Sequence, residues 1–280
     1  VSLNFTLHQL SNLITLIFAG HINTTVFAGI SLTNVFVNIT SESLLIGLSS
    51  AIETLCSQHY GAKNYHRVGM ILHQSLLILG ILLIPISILW YHAIFIFEWL
   101  RIDSSVCHVI KIYIRIRILS LPADVINISY ERYCISIGIY QPSLFSTIIF
   151  IMSISLFNYL AVIVYQQDFS SLSWSYVISS YLSVVAQICY SLSYPPVRLT
   201  LQYFSTEVFS HVYEFLRLGL PSYAVLCAEW WAAELLIFLA SFISTEAVAA
   251  QSIILQILCV LYMLPLGLSV ATASLIGQAL

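Results

Sequence analysis

Apolar residues run along this chain in long, nearly unbroken stretches, without the alternation that marks a helix or strand with one face in water. A helix needs about 20 apolar residues to cross the hydrocarbon core of a bilayer. On that criterion spans are predicted near 3–20, 26–50, 68–96, 106–128, 142–166, 172–194, 212–240 and 246–276. The chain opens at Val1 directly into "LITLIFAG" and stops within "LPLGLSVATASLIGQAL", so both ends read as cuts and the first helix as incomplete. The many β-branched residues do not argue for strands. Lipid satisfies no backbone groups, and a barrel would alternate with polar lumen residues, which these continuous runs lack.

Composition sharpens this into a class. The chain is 60% hydrophobic and 8% charged, whereas a soluble domain carries charge on about a quarter of its residues. It is therefore expected to be an all-α polytopic membrane protein. A net charge of −3 without a basic patch gives nucleic acid no footing. The six cysteines lack CxxC spacing, so neither a disulfide framework nor a zinc site is indicated. No Walker loop, GxSxG or HExxH occurs, which disfavours an enzyme, an ATP-driven pump and a bound cofactor. His59, His66 and His73 recur every seven residues around one loop and do not converge as metal ligands do.

Lys and Arg in short loops set orientation. Lys63, Arg67, Arg132, Arg198 and Arg217 fall in the loops after the second, fourth and sixth spans, against Arg101 alone in the others. The ends of even-numbered spans are therefore expected in the cytoplasm. Asn23 of the sequon "NTT" would then face outside, too close to the membrane for the sequon to be more than chance. Gly61 reads as a helix stop between the second and third spans.

The chain also repeats itself. "IGLSSAIETLCSQHY" (46–60) lies over "LGLSVATASLIGQAL" (266–280) at an offset of 220, matching Gly47 with Gly267, Ser49 with Ser269 and Gln58 with Gln278. Thr24 and Thr245, and Ala28 and Ala249, match at 221. Spans one and two would correspond to seven and eight, so a six-helix unit repeats with both copies entering from one side, as in many transporters. The expectation is a first lobe over 1–200, the start of a second over 201–280, and four further helices in the intact protein.

The chemistry concentrates in "CAEWWAAELL" (227–236). Glu229 lies midway along the seventh span, where facing lipid would cost its ionised carboxylate about 2.5–3.5 kcal/mol, so it must face protein or water. A static ion pair or hydrogen-bonded acid accounts for that. So does a carboxylate alternately dry and wet, which binds and releases a proton as its surroundings change. Glu234 follows at i+5, turned about 140° away and about 7.5 Å along the axis, and is a second protonatable or pairing group. Pro221 removes a backbone hydrogen bond from the same helix and permits a hinge. Trp230 and Trp231 diverge by about 100°, so one can line a cavity and offer its face to a cation. Arg115 and Arg117 approach the membrane core. Pairing with Asp124 or Glu42 is their ordinary explanation and anion binding the alternative.

The stretch "GLSSAIETLCSQHYGAKNYHRVGMILHQS" (47–75) resembles the multidrug and toxic compound extrusion (MATE) family, whose second helix ends in Asp-Thr-Leu-x-x-Gln-x-Tyr-Gly-Ala; Glu53 replaces the aspartate. The likeness extends to "LPADVI", to "LRLGLPSYAVLCAEWWAAELL" and to "AAQSIILQILCVLYMLPLGLSVATASLIGQAL". The Glu-Trp-Trp-x-x-Glu pattern fits the eukaryotic branch. The resemblance implies twelve helices in two six-helix bundles and a cavity opening alternately to either side. It also implies export of organic cations or xenobiotics in exchange for protons, with sodium the less favoured coupling ion. Glu229 matches the family's essential acid, Glu234 its second carboxylate, Trp230 a cavity aromatic and Asn38 an asparagine of the second helix. The plasma membrane is favoured over an internal one. Ala233, Arg115, Arg117, Asp124 and Glu42 depart from the family's usual residues, which bears on substrate range. The alternatives are a lipid or lipid-linked substrate flippase of the same superfamily and an inactive truncated product; a seven-helix receptor is disfavoured by the eighth span and the repeat.

Overall fold

The computed structural model describes residues 2–201, 206–240 and 245–279, and among them every regular element is helical. The helices are α1 (Ser2–Ile22), α2 (Thr24–Val37), α3 (Ser43–Gly61), α4 (Tyr65–Tyr91), α5 (Ile94–Trp99), α6 (Ser104–Arg117), α7 (Leu121–Ser136), α8 (Gln141–Tyr159), α9 (Ser170–Ser191), α10 (Pro195–Thr200), α11 (Val212–Ala240) and α12 (Thr245–Ala279). A π-helical turn, Asn38–Glu42, joins α2 to α3 into one rod of 38 residues. A 3₁₀ turn, Ile118–Ser120, joins α6 to α7, and a second π turn, Leu160–Val164, extends α8. Each of the eight predicted spans is helical over most of its length, and the one near 68–96 is broken by a turn between α4 and α5.

Local chemistry fixes the joints. Asn23 caps α2 by accepting the Val26 N–H on its side chain at 2.7 Å, and Asn64 accepts the Arg67 N–H at the start of α4. Asp103 caps α6 in the same way through the Ser105 N–H. Pro122 has no N–H to give to the carbonyl four residues back, and the chain tightens into the 3₁₀ turn just before it. At the end of α3, Gly61 is the last helical residue, and the left-handed conformation falls on Lys63, with φ 59°. Pro85, Pro221 and Pro265 lie inside α4, α11 and α12, which continue past them.

The rod α2–α3 is the axis of the assembly. Its first half packs on α6, and its second half on α4, α7, α11 and α12. Around it α8 packs against α9 and α1, while α1 also meets α12. The largest buried apolar cluster gathers Ile52, Leu55, Val68, Ile71, Tyr133 and Phe215 from α3, α4, α7 and α11. Outward-facing side chains such as Ile84, Phe95, Met152 and Val185 are exposed and apolar, as a lipid-facing surface requires.

Two rods outrun the predicted spans. α3 continues to Gly61 rather than stopping near 50, and α7 to Ser136 rather than near 128. The polar residues that end the apolar windows face inward there: Ser57 and Ser136 are fully buried, and Glu53 and Arg132 meet in the interior.

Candidate functional site

Glu229, Trp230 and Glu234 are carried by α11, the rod that packs along α3. That packing is close because small residues face it. A Cβ built on Gly47 of α3 would lie 2.6 Å from the Cα of Tyr223, and one on Gly219 of α11 would lie 3.2 Å from the carbonyl oxygen of Leu48. The side chains of Glu229 and Glu234 lie outside the described residues, as does that of Ala233. Trp230 is half-buried and Trp231 is 40% exposed. Pro221 sits on an exposed flank of the helix two turns before Glu229.

Asn38, the candidate on the second span, heads the π-helical turn, and its carbonyl accepts the Ser43 N–H five residues on. A π turn inserts one residue into a helix and re-aims the side chains around it. Here it places Ser41 and Glu42, but not Asn38, on the wall of a cavity.

The rod α2–α3, α4, the rod α6–α7 and α9 meet around a cavity of about 90 Å³, roomy enough for a few waters or one small ion. Charged and polar side chains line it: Glu42 from the π turn, Arg117 from α6, and Asp124, Asn127, Glu131 and Arg132 from α7. Trp90 of α4 and Tyr176 of α9 complete the wall, and the Trp90 indole N–H is held by the Thr40 hydroxyl at 2.9 Å.

Arg117 is 2% exposed. Its Nη2 lies 3.7 Å from Glu42 Oε1, and its guanidinium carbon lies 3.2 Å from the centre of the Tyr176 ring. It is also attracted by Asp124, whose carboxylate accepts the Ser120 hydroxyl at 2.8 Å. The pairing expected of Arg117 with Glu42 and Asp124 is thus present. Arg115 instead lies over the Tyr91 ring, 4.4 Å from its centre. With Arg117 faced by two carboxylates, the geometry speaks against a site for anions.

A second buried pair has no counterpart among the sequence-based expectations. Arg132 of α7 is joined to Glu53 of α3 by a short charge-assisted hydrogen bond between residues each 8% exposed. The two residues stand 79 positions apart, and neither has a local sequence signal that names its partner.

At the polar end of the bundle, where α3 has left its apolar window and gives way to α4, a cluster ties the first six helices to α11. Arg67 Nη2 donates to Glu214 Oε2 at 3.1 Å, and His211 Nδ1 lies 3.5 Å from the same oxygen. Burial holds the His59 imidazole beside them below its usual value, and Arg67 adds to the effect. At the opposite end the Ser105 hydroxyl and N–H hold the Asp103 carboxyl below the usual carboxylate range.

Known proteins share this arrangement of helices. The MatE family model matches residues 1–160 and 221–280. Multidrug and toxin extrusion protein 1 of Homo sapiens is 31% identical over 271 residues, 97% of this chain and 48% of that protein. Protein DETOXIFICATION 37 of Arabidopsis thaliana is 28% identical over 271 residues, 96% of this chain and 54% of that protein. Among solved structures, the eukaryotic MATE transporter AtDTX14 superposes with a TM-score of 0.90 at 22% identity, covering 99% of this chain and 62% of that one. An outward-facing multidrug resistance MATE family transporter of the MOP superfamily gives 0.81 at 17% identity, covering 100% of this chain and 63% of that one. This chain spans about half the length of the curated relatives it matches.

Proposed function

The chain belongs to the MatE family, and from that membership we propose that it is the first lobe and the opening two helices of the second lobe of a secondary antiporter. The first lobe covers 1–200 and the second begins at 201, with four further helices to complete it. The transporter exports organic cations or xenobiotics in exchange for protons, by alternating access, and works in the plasma membrane. No enzymatic step and no cofactor enter the cycle.

The observation that carries this reading is the acidic, tryptophan-bearing segment of α11, in a rod packed closely along α3. Glu229 is the proton-coupling residue. Dry surroundings favour the protonated carboxyl, whereas a cation bound beside it favours the ionised form and drives the proton off. One negative charge then serves two competing occupants, and that competition couples their movements. Trp230 contributes an aromatic face to the cation, a contact worth about 0.5–2 kcal/mol. Glu234, turned to another side of the helix, acts as a second protonatable or pairing group. Asn38 contributes a polar contact to substrate from the second span, and Pro221 lets α11 bend.

The test is proton-driven uptake of a fluorescent organic cation into vesicles bearing the intact protein, compared with Glu229→Gln. The variant is expected to lose gradient-dependent uptake; equal uptake by both removes Glu229 from the mechanism. A flippase for anionic lipid-linked substrates needs an open cationic groove, and the buried guanidiniums of Arg117 and Arg132 are both met by carboxylates.

A further inference from the structure

We propose that the cavity of the first lobe is a receptor for a planar monovalent cation, and that this chain fills it from within with the guanidinium of Arg117. The surroundings of that group are those a free cation of this shape would select. A carboxylate approaches it at 3.7 Å (Glu42), and a tyrosine ring lies under it at 3.2 Å (Tyr176). A second carboxylate, Asp124, adds its field and is itself fixed by Ser120. Guanidinium suits such a place because it is planar, weakly hydrated and able to stack while it donates.

The charge balance points the same way. Glu42, Asp124 and Glu131 line the cavity, and of the two guanidiniums there Arg132 is already joined to Glu53. Carboxylates gathered in a membrane interior demand protons or cations. Arg117 supplies a permanent one, since its guanidinium does not lose its proton under any physiological condition. Its Nε–H is buried with no partner among the described residues, although the residue lines the cavity. The occupant is therefore held at one edge of a space larger than itself, as a tethered ligand is, rather than moulded into a closed pair.

The consequence for the cycle is a division of labour. A lobe with a built-in cation has no need to bind and release one, so exchangeable charge is left to α11.

Removing the tether should turn the cavity into a binding site. The experiment uses the intact protein in a Glu229→Gln background, so that binding at the α11 carboxylate does not contribute. Arg117→Ala is expected to lower the melting midpoint by about 5 °C or more. Guanidinium chloride at about ten times its dissociation constant restores about half of that loss. Urea, its neutral isostere, and sodium chloride at the same concentration restore none. Equilibrium binding of radiolabelled guanidinium then shows one saturable site per chain beyond those of the Glu229→Gln parent. Arg117→Gln, which fills more of the space and offers the carboxylates an uncharged N–H donor, must show the same additional site even if Arg117→Ala yields too little folded protein. The proposal is overturned if neither variant binds guanidinium beyond the parent, or if urea or sodium rescues as well as guanidinium does.

Discussion

The interior of the first lobe and the seam between that lobe and α11 are held by opposite means. Within the lobe, oppositely charged residues meet in the interior: Glu53 with Arg132, both buried, and the buried Arg117 with the half-buried Glu42. Along the seam, glycines bring backbones together, Gly47 against Tyr223 and Gly219 against Leu48. A buried charge pair tolerates almost no displacement, because separating it leaves two desolvated charges. A seam of small residues depends on dispersion contacts that can be remade in a second packing. The lobe is thus held by contacts that resist displacement and the seam by contacts that can be remade, as the alternating access proposed above requires.

The comparison breaks first if the charge pair is cut. Arg132→Leu leaves Glu53 buried without its partner and should cost about 3–5 kcal/mol, read as a large loss of melting midpoint and of monodisperse protein. The double variant Glu53→Gln, Arg132→Met removes both charges and should recover most of that loss. If the single variant is harmless, charge does not fix the lobe.

Substitutions along the seam should be smaller in stability and larger in transport. On Gly47 a methyl group would meet backbone at 2.6 Å, so Gly47→Ala forces α3 and α11 apart, at about 1–3 kcal/mol. Cation uptake should fall further than the loss of folded protein explains. Gly80, in α4, has nothing within 4 Å of the place a methyl group would occupy and serves as the control. Gly80→Ala should leave uptake unchanged and raise stability by about 0.5–1 kcal/mol, the usual advantage of alanine in a helix interior. A Gly47→Ala variant transporting as well as Gly80→Ala would show that the seam does not need its close approach.

The same contrast explains what could be read from the sequence. Eight spans follow from apolar length, since lipid forces one solution on any long oily run. Helix ends were not legible where charge is paired. Apolar windows end near 50 and 128, but the rods run on to Gly61 and Ser136 because Glu53 and Arg132 satisfy each other across 79 residues. The π turn at Asn38–Glu42 had no sequence signal, as it depends on how neighbouring rods pack around it. The pairing of Arg117 with Glu42 could be anticipated because a lone arginine in a membrane interior demands a partner. Tyr176 beneath it could not, since nothing in a run of serines and aromatics marks one tyrosine among several.

The smallest effect lies at the polar end of the seam and separates it from the lobe interior by pH. The buried arginines do not titrate, so their contribution is flat across the physiological range. His59 does. Its pKa in the folded protein lies below the ordinary value of 6.5, chiefly because burial disfavours the imidazolium and secondly because Arg67 stands near. Between the folded value and about 6.5 the unfolded chain binds more proton, so stability rises with pH in that window. His59 therefore costs nothing above about 6.5, and stability is lost as pH falls from there toward the folded value. A partly exposed group is screened by solvent, so the midpoint should drop by only about a degree or two. His59→Gln, which cannot take up the proton, should flatten that part of the curve while leaving the midpoint at pH 8 unchanged. A slope that survives the substitution would assign the acid sensitivity to other groups and leave the seam, like the lobe, indifferent to His59.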